Sequence, residues 1–389
     1  MTIRIDEEKV FRLIEERHPR GIVVNAPGGL QAQTRALTEK IREKYGVSCL
    51  LVGDSCFGIC DTVDEEVEKL DADMALHIGH NAAVSMVGDY TYLIDATDDV
   101  SFDGVIEKAI PQLRSMKYER VGLVTFSQHL HELKPTKEKL EAAGFQVFVG
   151  KQNNLLLGGQ VFGCDFSTAY PVRDEVDAFC FLGESEFHAV GLALSTGRPT
   201  YMLDPYLEDV VDMGEAAEER RKRAILSVYK AMDAKVFGVI TGLKEGQKML
   251  GRTNWIVKRL EMHERRVVQL AMRDITPERL APLRDVDAFI QTACPRISID
   301  GFTFDRPVLS IPQADALVSL LEGREIGEFL QRPKWIETFP GAALGIIFGI
   351  TNGLILPGPP WTKRVCCSSN SVSPPMPLPK MTPQRNGSS

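Results

Sequence analysis

The sequence predicts an α/β protein whose parallel sheets are divided among three related domains. Short apolar segments alternate with longer amphipathic segments almost to residue 330, and such alternation is typical of βαβ units. A weak internal repeat of long period favours three domains over one large sheet. Hydrophobic residues make up 44% of the 389 residues and charged residues 25%, which is the balance of an ordinary globular protein.

The predicted strands are short apolar segments of the kind that become buried in parallel sheets. They are residues 21–26, 48–52, 74–78, 90–94, 121–126, 145–149, 178–182, 200–203, 236–241, 288–292 and 308–311. Helical periodicity marks several of the segments between them, and residues 31–45, 135–143 and 215–232 are the clearest examples.

The internal repeat is carried by residues 73–80, 177–184 and 287–294. Each segment begins with an aspartate in a predicted turn, continues through a buried strand, and ends in a small residue followed by a polar or sulfur-bearing one. A further apolar strand follows each segment. Residues 120–125 also resemble residues 235–241, and each of these stretches lies at the predicted start of a later domain. The repeat therefore indicates triplicated domains.

We predict domain boundaries from this repeat. The three α/β domains are residues 1–115, 116–215 and 216–335, and each contains one candidate ligand cysteine. Residues 336–389 are predicted to form an atypical apolar segment followed by a disordered tail rich in Pro, Ser and Asn.

Charge and composition exclude several classes of protein. The net charge is −8, which disfavours nucleic-acid binding because phosphate contacts need a basic face. Residues 1–20 are charged throughout and lack the apolar core of a signal peptide. The apolar stretch 341–356 is short for a membrane span, which needs about 20 residues. We therefore predict a cytoplasmic protein that binds neither nucleic acid nor membrane.

Three of the eight cysteines are candidate metal ligands. Cys60, Cys164 and Cys294 lie at comparable predicted strand ends, in glycine-rich or tight-turn sequence. Ligands bind beyond the carboxyl ends of the strands in open parallel sheets, and glycines let the backbone fold closely around a bulky inorganic group. Thiols from three domains would meet at a metal centre or in a disulfide, and the cytosol disfavours the disulfide. Cys49 and Cys180 lie inside apolar strands, which favours a structural role.

The number and spacing of the thiols bear on the choice of metal. Structural zinc takes four ligands, commonly from close CxxC pairs, and the sequence contains no such pair. A 4Fe–4S cluster normally takes four cysteines, and a cluster held by three leaves one iron open for a substrate. Cys56 lies one helical turn before Cys60 and could reach the same metal. We favour Cys60 because a glycine closely precedes it, as one precedes Cys164.

Polar residues at the same strand ends are candidate catalytic residues. His80, Glu184 and His188 would contact substrate or support it, although a satisfied polar residue at a strand end is an equally good interpretation. His77 is expected to point the other way along its strand, which favours a structural role. The loop of residues 244–247 lies on the same rim and is a candidate for binding an amino-acid or nucleotide group.

Five motifs in order resemble the archaeal 2-(3-amino-3-carboxypropyl)histidine synthase family, which performs the first step of diphthamide biosynthesis. The motifs are GDSCFGICD (residues 53–61), HIGH (77–80), GQVFGC (159–164), LGESEFH (182–188) and ACPRISID (293–300). The resemblance covers about residues 5–325. It implies three Rossmann-like domains in a pseudo-threefold arrangement, a homodimer, and a 4Fe–4S cluster bound by Cys60, Cys164 and Cys294.

The resemblance also implies a radical reaction of S-adenosylmethionine. The cluster, reduced by an external electron donor, would break the Cγ–S bond of the sulfonium and release methylthioadenosine. The 3-amino-3-carboxypropyl group would add to C2 of a histidine imidazole in translation elongation factor 2. Arg296 would pair with the methionine carboxylate and Gln247 would hydrogen-bond the cofactor. The sequence after about residue 335 departs from the family pattern, which affects the closing helix but no cluster ligand.

Two other functions fit parts of this pattern. A three-cysteine 4Fe–4S enzyme of the quinolinate synthase type would use the open iron as a Lewis acid and would need no S-adenosylmethionine. A non-catalytic cluster-bearing subunit would only shape or reduce a separate enzyme, and the loss of a cysteine ligand would mark it. A plain nucleotide-binding protein is disfavoured, because no GxGxxG or Walker A loop follows any predicted strand.

Overall fold

The computed structural model describes residues 3–301 and 303–326. In these ranges the chain forms three sheets built mainly from parallel strands, together with a two-stranded antiparallel ribbon. This architecture confirms the predicted α/β fold class. The apolar segment and tail predicted at residues 336–389 lie outside the described residues.

The N-terminal part of the chain contains the ribbon and a five-stranded sheet. Its elements are β1 (Ile3–Ile5), α1 (Glu7–Arg17), β2 (Gly21–Asn25), α2 (Gln31–Tyr45), β3 (Ser48–Leu51), α3 (Asp64–Lys69), β4 (Met74–Ile78), β5 (Met86–Val87), β6 (Thr91–Ile94), β7 (Ala96–Asp98) and α4 (Asp103–Ser115). The sheet order is β3-β2-β4-β6-β5, with β5 antiparallel to β6. Strands β1 and β7 form the ribbon.

The middle part of the chain contains a second five-stranded sheet. Its elements are β8 (Arg120–Thr125), α5 (Leu133–Ala142), β9 (Gln146–Phe148), β10 (Ala178–Leu182), α6 (Glu186–Thr196), β11 (Thr200–Asp204) and β12 (Asp209–Asp212). The order is β12-β11-β10-β8-β9, with β12 antiparallel to β11.

The last described part of the chain contains a four-stranded parallel sheet. Its elements are α7 (Gly214–Ala231), β13 (Val236–Gly242), α8 (Leu250–Met262), β14 (Arg266–Met272), α9 (Pro277–Leu280), β15 (Ala288–Gln291), β16 (Val308–Leu309) and α10 (Ile311–Leu321). The order is β14-β13-β15-β16.

All three sheets share one order of parallel strands. Counted along the chain among the parallel strands of each sheet, the order is second, first, third, fourth. The strands concerned are β3-β2-β4-β6, β9-β8-β10-β11 and β14-β13-β15-β16. The shared order supports the internal repeat. The domain boundaries and the pseudo-threefold arrangement stay predictions.

An aspartate before the third parallel strand anchors each sheet to its first strand. Asp73, Asp177 and Asp287 hold this position, immediately before β4, β10 and β15. One carboxylate oxygen of each aspartate accepts two backbone N–H groups. The donors are Arg20 (2.6 Å) and Gly21 (3.3 Å) to Asp73, Glu119 (3.0 Å) and Arg120 (2.9 Å) to Asp177, and Lys235 and Val236 (2.9 Å each) to Asp287. A charged acceptor makes strong hydrogen bonds, so the repeated aspartate has a definite structural role.

The middle sheet is buried on both faces, as parallel strands covered by helices are. Along β10, Phe179 and Phe181 belong to one hydrophobic cluster, whereas Ala178, Cys180 and Leu182 belong to another. All five side chains are fully buried. The alternation follows from the two-residue period of a strand. The structural role predicted for Cys180 is thereby confirmed.

Two glycines admit a phenylalanine ring from the neighbouring strand. A Cβ atom on Gly122 would lie 2.4 Å from the ring of Phe179, and one on Gly238 would lie 2.5 Å from the ring of Phe289. In each pair the two residues are register partners across adjacent parallel strands. This shared packing accounts for the resemblance between residues 120–125 and 235–241.

Each predicted strand matches an observed one within two residues at either end, but the edges of the sheets differ from prediction. Residues 48–52 are predicted to be buried, whereas β3 is an edge strand of exposed and half-buried residues. The edge strands β12 and β14 are not predicted, because an edge strand has one neighbour and its sequence is less apolar. The helices predicted at residues 31–45, 135–143 and 215–232 correspond to α2, α5 and α7.

No helix in the described ranges combines the length and apolar character needed to cross a membrane.

We expect the replacement Asp177→Ala to lower the urea midpoint of unfolding, because the N–H groups at the start of β8 lose a charged acceptor. Hydrogen bonds to a charged group contribute about 1.5–3 kcal/mol. The hydrogen bond from the Arg120 side chain is the main factor that holds the pKa of Asp177 at about 2. Since an unfolded aspartate titrates near about 3.9, this stabilisation is complete above that pH and is lost as the pH falls towards 2.

Asp174→Ala is the matched control for this experiment. The Asp174 side chain is 75% exposed and pairs with Arg173 and Arg198 at the surface, where ion pairs contribute little. Urea unfolding of both variants, followed by circular dichroism at pH 7, measures the difference. A wild-type midpoint for the Asp177 variant would contradict the anchoring role.

Candidate active site

The three predicted ligand cysteines lie in loops that follow strands, but not at equivalent strand ends. Cys60 lies between β3 and α3, Cys164 between β9 and β10, and Cys294 shortly after β15. In the repeat, the positions equivalent to Cys294 are held by His80 and Glu184. The prediction of three comparable strand ends is therefore wrong, because two thiols sit in long connections whose path the sequence pattern does not reveal.

The three thiols nevertheless lie close enough to influence one another's ionisation. Desolvation raises the pKa of Cys60, and negative charge on Asp61 and Cys294 raises it further. Desolvation also raises the pKa of Cys164, with contributions from Cys294 and Cys60, and raises that of Cys294. All three side chains keep some access to solvent. Thiolates that repel one another in this way suit a cationic inorganic centre, which neutralises them.

The spacing of the three sulfur atoms favours a cluster over a single ion. A tetrahedral ion with metal–sulfur bonds of about 2.3 Å holds its thiolates about 3.8 Å apart. Among the described residues, the triad of possible ligands whose atoms all lie within 4.8 Å of one another is Cys56, His77 and His80, and not the three cysteines. At least one pair of the three cysteine sulfurs therefore lies more than 4.8 Å apart, which is wider than a single tetrahedral ion requires.

The loop of residues 244–247 packs on Cys60 and positions its thiol. The Gly246 N–H donates to the Cys60 carbonyl (3.2 Å), and Gln247 Nε2 donates to Cys60 Sγ (3.4 Å). A Cβ atom on Gly246 would lie 2.6 Å from the Cα of Cys60, so the approach requires glycine. Gln247 is buried, and its side-chain amide already donates a hydrogen bond to Cys60 Sγ. Its role in cofactor binding stays a prediction.

A buried ion pair lies beside Cys60. Lys244 Nζ is 2.6 Å from Asp61 Oδ1, and the two side chains are 10% and 5% exposed. Asp61 Oδ2 also accepts the N–H groups of Phe57 (2.7 Å) and Gly58 (3.1 Å). Desolvation lowers the pKa of Lys244, but Asp61 and Cys60 outweigh it and the net shift is upward. Lys244 therefore carries a positive charge next to Cys60. No local sequence pattern marks this pair, because its partners lie in distant segments.

Arg296 joins the loops of Cys164 and Cys294. Its buried guanidinium donates from Nε to both Asp300 carboxylate oxygens (2.8 and 3.0 Å) and from Nη2 to one of them. Nη1 donates to the Gly163 carbonyl (2.8 Å) and Nη2 to the Phe187 carbonyl (2.5 Å). Arginine has five N–H groups, so these contacts leave one, on Nη1. The predicted pairing with the cofactor carboxylate would rest on that N–H alone and stays a prediction.

His77 and His80 lie together with Cys56 rather than facing apart. His77 Nε2 is 2.9 Å from His80 Nδ1, and Cys56 Sγ is 3.9 Å from each of these nitrogens. The prediction that His77 points away is wrong, because Gly79 takes a φ of +84° and redirects the chain between the two histidines. Desolvation lowers the pKa of both imidazoles, that of His80 to about 4.

His188 lies in the first turn of α6 and packs against aromatic rings. Its Nδ1 is 2.7 Å from Ser185 Oγ, and its ring stacks on Phe126 and Phe181 with centroid distances of 5.3 and 6.0 Å. Desolvation, together with the charges of Arg296 and His80, lowers the pKa of His188 to about 3. The structure therefore brings His188 and His80 into the same electrostatic neighbourhood.

Glu184 faces a different partner from the other candidate residues. Its side chain is 41% exposed, and its carboxylate lies 3.2 Å from Nε2 of the buried His129. His129 lies in a short helical turn after β8. It belongs to none of the five sequence motifs, so the sequence does not identify it as a site residue. The catalytic roles of Glu184, His188 and His80 stay predictions.

The chain matches known proteins over most of its length. The family model described as a putative diphthamide synthesis protein matches residues 26–327. The 2-(3-amino-3-carboxypropyl)histidine synthase of Pyrococcus horikoshii is 30% identical over 336 residues, which cover 86% of this chain and 96% of that protein. Subunit 1 of the synthase of Schizosaccharomyces pombe is 27% identical over 323 residues, covering 80% and 73%. The chain belongs to the diphthamide synthesis protein family.

The fold is similar to a solved structure of the same family. The crystal structure of Dph2 from Pyrococcus horikoshii with a 4Fe–4S cluster aligns with a TM-score of 0.74 at 28% identity, covering 83% of this chain and 93% of that one. This similarity confirms the α/β fold class, and with the family match it confirms the resemblance that the five motifs predict.

We expect Gly246→Ala to lower the cluster content of the purified protein, because the new methyl group displaces the backbone of Cys60. Overpacking of this kind shifts the backbone and costs about 1–3 kcal/mol. Iron and acid-labile sulfide per chain measure the effect. Gly251→Ala on α8 is the matched control, since a Cβ atom there meets nothing within 4 Å and alanine favours a helix. Equal cluster content in the two variants would contradict the close approach.

We expect Arg296→Lys to change the electron paramagnetic resonance spectrum of the reduced protein. Lysine keeps the charge but lacks the fork that reaches the Gly163 and Phe187 carbonyls together, so the cysteine loops shift. Arg306→Lys is the matched control, because Arg306 also donates to backbone carbonyls, those of Leu280, Leu283 and Val286. Both variants should lose thermal stability. An unchanged spectrum in the Arg296 variant would show that Arg296 has only a structural role.

Proposed function

We propose that this protein is a 2-(3-amino-3-carboxypropyl)histidine synthase, a transferase that performs the first step of diphthamide biosynthesis. One observation carries the proposal: thiols that follow strands of three different sheets come within electrostatic range of one another, with at least one pair wider apart than a single tetrahedral ion requires. The synthase names of the relatives from Pyrococcus horikoshii and Schizosaccharomyces pombe support the same reaction.

Cys60, Cys164 and Cys294 would hold a 4Fe–4S cluster and leave one iron without a protein ligand. When bound, the cluster supplies an electron from an external donor for the radical cleavage of the cosubstrate S-adenosylmethionine. The 3-amino-3-carboxypropyl group would then form a bond to C2 of a histidine imidazole in translation elongation factor 2. Methylthioadenosine would be the leaving group, and the C2 hydrogen would depart as a proton as the adduct gives one electron back. The cluster in the solved Dph2 structure supports this assignment.

The surroundings of Cys60 tune this centre. Gln247 brings an N–H donor to the sulfur atom, and hydrogen bonds to cluster sulfurs are among the factors that set the reduction potential. Lys244 adds a positive charge nearby, but the charge of its partner Asp61 outweighs it at Cys60. The hydrogen bond from Gln247 is therefore the contact that favours uptake of the electron that the reaction needs.

The polar residues around the centre would orient the substrates. The low pKa values of His80 and His188, about 4 and about 3, leave both rings neutral near pH 7. Neutral imidazoles donate or accept a hydrogen bond without repelling the positively charged sulfonium. The exposed carboxylate of Glu184 would attract that charge. Gln247 and the free N–H of Arg296 would contact the amino-acid part of the cofactor.

Elongation factor 2 would present a single exposed loop to this site, which the acidic net charge of the protein allows. We further propose a homodimer in the cytoplasm, with neither nucleic acid nor membrane as a partner. The relative from Schizosaccharomyces pombe is named as subunit 1 of its synthase, which agrees with assembly from more than one chain.

The decisive experiment is an anaerobic assay of cluster-loaded protein with dithionite, S-adenosylmethionine and archaeal elongation factor 2. Intact-mass spectrometry should show an added aminocarboxypropyl group on the factor. Changing Cys60, Cys164 or Cys294 to serine should abolish both the cluster and the product. Cys49→Ser is the matched control, because this thiol lies on the edge strand β3 and packs against the hydrophobic core of the first sheet, and it should behave as wild type.

Each other outcome points to a different function. Methylthioadenosine without modified factor would support the radical chemistry and contradict the protein substrate. Modification that requires a second cluster-bearing chain would indicate a non-catalytic subunit. If neither product forms with a full cluster, the synthase assignment fails and a Lewis-acid enzyme of the quinolinate synthase type becomes the better explanation.

A further inference from the structure

A second set of possible metal ligands lies within the loop that carries Cys60 and at the end of β4. It consists of Cys56, His77 and His80, whose ligand atoms all lie within 4.8 Å of one another. Cys56 and His77 are buried, and His80 is half-buried. The proposed reaction gives Cys56 and His77 no role, so their convergence needs its own explanation.

We propose that Cys56, His77 and His80 bind one divalent transition-metal ion, with Zn²⁺ as the expected occupant. Tetrahedral zinc has bonds of about 2.3 Å to sulfur and about 2.05 Å to nitrogen, which require S···N distances of about 3.6 Å and an N···N distance of about 3.3 Å. The observed S···N distances are 3.9 Å each and the N···N distance is 2.9 Å. A small adjustment of the side chains brings all three into coordination.

Hydrogen bonding alone explains only one of these distances. The 2.9 Å between His77 Nε2 and His80 Nδ1 suits an N–H···N bond. The Cys56 sulfur, however, lies equally far from both nitrogens. A thiol donates and accepts hydrogen bonds only weakly, so two such long contacts hold the sulfur between the rings only weakly. A cation shared by the three atoms accounts for all three approaches at once.

A bound cation would stabilise the thiolate form of Cys56. Burial and the negative charge of Asp61 disfavour that form more strongly than the nearby charge of Lys244 favours it. A metal ion supplies the compensating positive charge at the sulfur atom itself, and a coordinating thiol is deprotonated. One thiolate and two imidazoles select zinc over magnesium or calcium. Three protein ligands also leave a fourth position for water or a substrate atom.

The environment of His77 limits the affinity of the site. When Nε2 binds a metal, the ring proton must sit on Nδ1, and Nδ1 has no hydrogen-bond partner in the part of the chain that the structure describes. The lack of such a partner typically weakens metal binding by about 10–100-fold. We therefore expect an exchangeable ion that chelators remove.

The position of the ion gives it a definite structural effect. Cys56 and Cys60 share one loop, while His77 lies near the carboxyl end of the buried strand β4 and His80 follows the turn at Gly79. Zinc would therefore tie the cluster-binding loop to the first sheet. Its binding would release the Cys56 thiol proton.

The test measures metal content and coordination, so it is independent of the proposed synthase activity. Cluster-loaded full-length protein is treated with zinc, freed of excess metal by gel filtration, and analysed for zinc and iron per chain. X-ray absorption at the zinc edge is specific for zinc and should show one sulfur and two imidazole ligands. We expect about one zinc per chain in addition to the cluster iron.

Cys56→Ser should remove the sulfur from the zinc coordination shell and weaken zinc binding by at least about 100-fold. The control variant Cys49→Ser should leave the coordination shell and the zinc affinity unchanged. His80→Gln provides a second test if the first variant folds poorly, and it should remove one imidazole from the shell. Wild-type protein that retains no zinc would overturn the proposal. So would an unchanged sulfur-containing shell in the Cys56 variant, since zinc would then lie elsewhere.

Discussion

The close approach of Gly246 to Cys60 is the contact on which the geometry of the candidate site depends. It places a loop of the third sheet directly on a ligand loop of the first, and the Lys244–Asp61 ion pair lies beside it. A buried charge that loses its partner is strongly destabilising, so the pair fixes one relative position of the two loops. Arg296 makes the corresponding link between the third sheet and the Cys164 loop.

These links make the third sheet the organising element of the site. It contributes one thiol of its own and holds the loops that carry the other two. Desolvation disfavours the ionised form of all three thiols, and negative charge on Cys294 adds to this at Cys60 and at Cys164. The folded chain therefore gathers groups that are unfavourable together, and the polar links around them keep that arrangement in place until a cationic centre is bound.

The sequence predicts those features that depend on neighbouring residues. The buried strands are recognisable because burial on both faces produces apolar runs, and the recurring aspartate before β4, β10 and β15 marks a contact that recurs in every sheet. Edge strands such as β14 escape prediction, since one exposed edge weakens the apolar signal. The partners of Arg296 and Lys244 lie far away along the chain, so no local pattern encodes them. The placing of His77 against His80 depends on a single backbone angle at Gly79.

The distribution of the ligands along the chain has a consequence for biogenesis. Cys60 belongs to the first part of the chain to leave the ribosome, whereas Cys294 and the loop that buttresses Cys60 belong to the last of the three sheets. Domains generally fold in the order of their synthesis, so a nascent chain exposes two unpaired thiols long before their third partner exists. On the proposed assignment of the three cysteines, delivery of iron and sulfide would follow translation, and an interrupted chain that lacks the third sheet would be unable to bind the cluster.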